Sequence, residues 1–177
     1  MGVAQLLVVQ MAVFLAALLL AAGLHKLIRR EHLRSVIQEF AAVPARLALP
    51  AVLGVALAEM VTGVMLWWPA YREAGGALAA LLWGGYLLLI LRAIAQGRRD
   101  VDCGCTFGAA QRPLGTYQVA RTAVLTGVAL LVALCAARTA AGPAAASQML
   151  AACTLVALYG ALDQVMVLAA PRGGELL

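Results

Sequence analysis

Apolar residues in this chain run in long blocks separated by short polar stretches. No charged side chain occurs from Gly2 to Leu24, and the Leu- and Ala-rich run MAVFLAALLLAAGL completes that block. A helix crosses the hydrocarbon core of a bilayer with about 20 apolar residues, so a first span is predicted over residues 3–24. A cleaved signal peptide is the competing reading. It is set aside because no basic residue precedes the apolar run and His25, Lys26, Arg29 and Arg30 follow it at once. From His25 to Phe40, Leu27, Val36, Ile37 and Phe40 are spread among many charges, which predicts an amphipathic helix lying at the interface until Pro44 breaks it. Further spans are predicted over residues 47–68, 77–94, 122–137 and 148–170. The turn PAYREAGG joins the second span to the third, a polar stretch over 96–121 joins the third to the fourth, and RTAAGPAAAS joins the last two. Arg92 at the end of the third span snorkels to the surface on this reading. Five crossings are preferred; four would require the short fourth span to lie in the interface.

The fold class that follows is all-α, a polytopic integral membrane helix bundle forming one domain over residues 1–177. Gly54, Ala58, Thr62, Gly63, Gly84, Gly85, Ala123 and Gly127 are small residues that let helix backbones approach, which predicts compact packing. Trp67, Trp68 and Tyr71 are placed as interface anchors.

Composition removes the soluble alternative. The chain is 64% hydrophobic and 12% charged, where soluble domains carry about 25% charged residues. The apolar surplus must therefore face lipid, and 177 residues leave no room for an extramembrane domain beside five spans. The net charge of +5 is sorted by loop. Residues 26, 29, 30, 34, 46, 92, 98, 99, 112, 121 and 172 fall on one side, against 72 and 138 on the other. The positive-inside rule then places the N-terminus outside the bacterial inner membrane, and the C-terminus and the 96–121 stretch on the cytoplasmic face. The basic excess thus marks orientation, and nucleic acid is not an expected partner.

The polar stretch holds Asp100, Asp102, Cys103, Gly104 and Cys105. Two thiols separated by one glycine can close a small disulfide ring, because a residue without a side chain bends far enough to let them meet. Strained, exposed disulfides are labile and suit exchange. Arg98 and Arg99 favour a thiolate, whereas Asp100 and Asp102 oppose it. Two inert cysteines, or a metal site completed by His25 and His32, are the plainer alternatives. Cys135 and Cys153 lie about 4.5 and 7.5 Å below the opposite surface by helical rise. They would form a second thiol pair if the last two spans pack as a hairpin; otherwise they act as small hydrophobes.

Two acids fall inside spans. Glu59 sits near the centre of the second span, where an acid costs about 2.5–3.5 kcal/mol and each Leu or Val returns only about 0.3–0.6 kcal/mol. Its candidate roles are proton carrier, interhelical hydrogen-bond partner in the neutral form, or ion-pair partner for Lys26 or Arg92. Asp163 lies closer to a span end and is less informative.

GRRDVDCGCTFG followed by QRPLGTYQVAR resembles the signature loop of the MauE family of methylamine-utilisation membrane proteins, and GLHKL resembles the end of the first helix in that family and its DoxX-like relatives. Thr106, after Cys105, and Thr122, after Arg121, depart from the usual pattern. The resemblance implies a factor assisting disulfide formation or isomerisation in the disulfide-rich small subunit of methylamine dehydrogenase or a related quinoprotein amine dehydrogenase. It further implies a thioredoxin-like partner of the MauD type, with Cys103 and Cys105 exchanging and Lys26, Arg98, Arg99, Asp102 and Arg121 supporting the loop. A non-catalytic scaffold or export factor, or a DoxX-like subunit of a quinone-linked oxidoreductase with quinone as its cofactor, remain as alternatives. The dehydrogenase matures in the periplasm, opposite the charge-based placement of the CGC loop. A membrane-impermeant thiol reagent is accordingly expected to spare Cys103 and Cys105 in intact cells and to label them once the cells are opened; labelling in intact cells would reverse the orientation.

Overall fold

The computed structural model of the chain describes residues 3–41, 43–97, 115–136 and 146–168. Six helices form the bundle: α1 (Val3–Ile28), α2 (Arg30–Ala41), α3 (Ala45–Trp67), α4 (Arg72–Ala95), α5 (Thr116–Cys135) and α6 (Ala146–Leu168). Among the described residues there is no strand. α1, α3, α5 and the segment Pro69–Ala95 are each long and apolar enough to cross a membrane, whereas the apolar part of α6 that is described, Met149–Leu162, is shorter. The protein is thus a multi-pass helical membrane protein. The segment expected to be weakest, residues 122–137, belongs to a helix that starts six residues earlier, at Thr116, and so gains the length to cross.

The helix ends have local causes. α1 does not stop with its apolar run at Leu24 but continues through His25 and Lys26 to Ile28. α2 follows at once, with Leu33 buried against a surface otherwise populated by charged, exposed residues, and it rests on α3. Trp68 is extended and a 3-10 turn over Pro69–Tyr71 reverses the chain, so α4 begins at Arg72, five residues before the expected start. Gly97, at φ 72°, takes the left-handed conformation that a glycine adopts without steric cost just past the end of α4. At the start of α5 the Gln118 side-chain oxygen accepts from the Gly115 backbone N–H at 3.0 Å.

α1 is the central helix. It packs on α3, α5 and α6, while α4 packs on α5 and α3. Leu15, Ala16 and Leu19 of α1 meet Leu66 of α3, Trp83 of α4 and Ala129 of α5 in the main core. The outward positions are as apolar as the inward ones: Leu57, Leu81, Leu88 and Leu134 are all exposed. That distribution suits lipid on the outside, with packing and polar contacts providing helix association. The hairpin of the last two spans, the condition for a Cys135–Cys153 pair, is not the main contact of either helix, since α6 lies on α1 and α5 on α4.

Close approach is made by a different set of small residues from the one predicted. A Cβ on Gly23 would come within 2.9 Å of the Ala56 carbonyl oxygen, one on Gly63 within 3.1 Å of the Ala16 carbonyl, and one on Gly76 within 2.6 Å of the Ala133 nitrogen. Gly63 was among the expected positions; Gly54, Gly85 and Gly127 instead have nothing within 4 Å, and Ala123 is exposed. Helix spacing alone cannot tell which side of an all-apolar helix faces its neighbour. Gly76→Ala is expected to lower stability by about 1–3 kcal/mol, because the backbone of α5 must move. Gly54→Ala is expected to be neutral or to stabilise by up to about 1 kcal/mol. Unfolding midpoints of the two variants in mixed detergent check the contrast.

Candidate functional site

The polar chemistry of the bundle converges on Glu59. Side chains on a helix lean towards its N-terminus, so Lys26, two residues from the end of α1, reaches back into the bundle. Gly23, one turn earlier, holds α1 close to α3 at Ala56 and Met60. Lys26 Nζ consequently lies 2.8 Å from Glu59 Oε1. The Tyr86 hydroxyl on α4 donates to the same oxygen at 2.6 Å, and the Lys26 ammonium sits 5.5 Å from the centre of the Tyr86 ring, in cation–π range. Glu59 is 1% exposed and Lys26 9%. Each charge loses several kcal/mol of hydration at such depth, and only close pairing with added hydrogen bonds offsets that loss. Glu59 Oε2 has no hydrogen-bond partner among the described residues.

A second polar pair stands beside the first. Arg121 Nε on α5 donates to the Tyr159 hydroxyl on α6, and its guanidinium lies 4.7 Å from the Tyr159 ring centre. Tyr159 in turn meets Phe14 of α1 edge to face, with ring centres 6.0 Å apart. The two pairs, with Gln118, Thr122 and an apolar wall that includes Leu18, Trp83 and Leu125, enclose a cavity of about 60 Å³. The cavity lies in the half of the bundle where α1 and α4 end and α5 begins. It therefore faces the side from which residues 98–114 emerge.

Lys26 is one of the two ion-pair partners the sequence offered for Glu59; the other, Arg92, is exposed in the last turn of α4. Arg121 belongs to the cavity wall. Cys103, Cys105, Arg98, Arg99 and Asp102 lie outside the described residues, as does the side chain of Asp163. Cys135 is a half-buried free thiol at the end of α5, and Cys153 is an exposed free thiol on α6. Tyr86, Gln118 and Tyr159 are not foreseen by the sequence reading. Their only signal there is a polar tip inside or beside an apolar run, the same signal that marks Glu59 at much greater cost. Arg72 is also unforeseen: expected in a surface turn, it is fully buried, with its Nε 3.4 Å from the Leu66 carbonyl at the end of α3. A cation there complements the unpaired carbonyls of a helix C-terminus.

Fold and site together define a polytopic helical membrane protein with a charged, hydrogen-bonded cluster buried between its helices. The family model described as methylamine utilisation protein MauE matches residues 4–135, which include Lys26, Glu59, Tyr86, Arg121 and the CGC segment. The chain belongs to the MauE family. It is 37% identical over 150 residues to methylamine utilization protein MauE of Paracoccus versutus, covering 82% of this chain and 80% of the relative. The MauE protein of Paracoccus denitrificans is 34% identical over 151 residues, with 83% and 80% covered. That of Methylophilus methylotrophus is 28% identical over 127 residues, with 69% and 65% covered. No solved structure matches the chain.

If the Lys26–Glu59 pair is the constraint that aligns α1 with α3, removing one partner leaves an uncompensated charge. Lys26→Met and Glu59→Leu are each expected to cost about 3–5 kcal/mol, and the double variant markedly less than the sum. A double-mutant cycle of unfolding free energies in lipid–detergent mixtures measures the difference; additive losses would mean that the pair is not coupled.

Proposed function

We propose that this protein serves methylamine utilisation by thiol–disulfide exchange at Cys103 and Cys105, assisting disulfide formation or isomerisation in the small subunit of methylamine dehydrogenase or a related amine dehydrogenase. The reading rests on family membership together with the place of the thiol pair in the chain. The CGC sequence lies between α4 and α5, a helix pair in close contact along its length.

In the oxidising direction, a substrate thiolate attacks one sulfur of the Cys103–Cys105 disulfide and releases the other cysteine as thiolate. A second substrate thiol then resolves the mixed disulfide. Two electrons pass from the substrate to the pair, one substrate disulfide forms, and Cys103 and Cys105 each end as a thiol. A thioredoxin-like partner of the MauD type would restore the disulfide by the same exchange run in reverse. Isomerisation needs no net electron transfer and starts from the reduced pair.

The charge bias favours an inner-membrane protein with this loop on the cytoplasmic face, whereas direct exchange with a subunit that matures in the periplasm requires the reverse orientation, which labelling of the two thiols in intact cells reads out. Lys26 and Arg121 are engaged inside the bundle and Arg72 is buried near the other end. Setting these residues aside on both sides leaves the bias in the same direction.

Replacing both Cys103 and Cys105 by Ser is expected to reduce active dehydrogenase to the level of cells lacking this protein, with the variant still present in the membrane. Dehydrogenase activity and the disulfide content of its small subunit are the readouts. Unimpaired maturation would rule out exchange at this pair and favour a scaffold or export factor.

A further inference from the structure

We infer that the cavity beside Glu59 is a water site through which this carboxylate exchanges protons with the side of the membrane bearing residues 98–114. The starting observation is an imbalance at one side chain. Glu59 Oε1 receives both Lys26 Nζ and the Tyr86 hydroxyl, whereas Oε2 receives no donor among the described residues although the side chain is 99% buried. A carboxylate offers about four acceptor positions, and a buried charged group left short of donors is more costly than a neutral group in the same position.

Volume identifies what can supply the missing donor. Glu59 forms part of the wall of the 60 Å³ cavity. A single water needs about 10–15 Å³ measured this way, whereas an apolar cavity that holds benzene measures about 150 Å³. The space therefore takes a few waters and does not fit the ring of a quinone, so the quinone implied by DoxX-like resemblance has no place in it. Water also needs two to four polar neighbours, and Glu59, Lys26, Tyr86, Gln118, Arg121 and Thr122 all line the cavity.

Position identifies the side with which protons exchange. Gln118 and Arg121 stand two and five residues past Thr116, about 3 and 7.5 Å along the helix axis from the start of α5. The polar wall thus extends from Glu59 to the first turn of the helix that follows residues 98–114. Among the described residues, the ionisable groups that line the cavity with the carboxylate are Lys26 from α1, Tyr86 from α4, Arg121 from α5 and Tyr159 from α6. A proton from the bulk is relayed through the cavity water to the Glu59 carboxylate, the water regaining the proton it passes on, Lys26 and Tyr86 keep theirs, and no electron moves.

The test is infrared spectroscopy of the full chain in lipid nanodiscs, with wild type compared with Glu59→Gln and Leu125→Phe. Acidification is expected to bring up, reversibly, a protonated-carboxyl carbonyl band that shifts within the mixing time in D₂O and is missing from Glu59→Gln. Carboxyl-¹³C glutamate in the wild type assigns the band if that variant does not fold, and separates it from Asp163. Filling the cavity with Leu125→Phe is expected to slow the deuterium shift by about tenfold, the effect of about 1.4 kcal/mol added to a barrier. Absence of a buried-glutamate band at every pH where the protein stays folded overturns the inference. So does wild-type deuterium exchange as slow as that of the filled variant.

Discussion

Glu59 has to be compensated where it stands, because a carboxylate near the middle of an apolar membrane helix is out of reach of bulk water and of the ends of its own helix. Meeting that demand organises the neighbours. α1 continues past its apolar run so that Lys26 is carried on a rigid helix and not on a loop, and Gly23 removes the side chain that would hold α1 away from α3. Tyr86 then brings α4 to the same oxygen. Three helices are tied at one atom, by interactions strengthened by the low dielectric of the surrounding bundle.

That arrangement also explains why the bundle is polar inside and apolar outside in just one half. Towards the α3–α4 turn, the contacts are Leu, Ala and Gly packed at short range, with Arg72 covering the end of α3. Towards the thiol-bearing segment, the interior holds charged pairs, tyrosines and a cavity of water size. Lipid provides no hydrophobic incentive for helices to associate, so tight packing serves in the first half and hydrogen bonding in the second. For the proposed thiol exchange, the second property places an ionisable site in the half of the bundle where α4 ends and α5 begins.

Much of the fold was legible as a run of apolar blocks. Block length against bilayer thickness is a direct physical measure of a helix, and α1, α3 and α4 each contain most of one apolar block, although α4 starts five residues early. Boundaries were less legible: Arg72 and Glu73 read as turn residues, yet both are helical, since a helix terminus close by accommodates the arginine. The site was legible in part. Glu59 announced itself by its cost, and Lys26 was named as one of two partners, but Tyr86, Gln118 and Tyr159 carry no charge and raise no comparable alarm in an apolar run.

The sequence by itself determined that the chain lives in lipid, that its apolar blocks form helices there, where the basic residues bias its orientation, and that one acid needs a partner. These are properties of composition and order along the chain. Only the tertiary structure decided that Lys26 and not Arg92 answers Glu59, that α6 rests on α1, and that Gly23 and Gly76 are the points of closest approach. A helix that is apolar all round carries no stripe to say which face turns inward, so rotation and neighbour choice are set by shape and by the few polar tips once the helices meet.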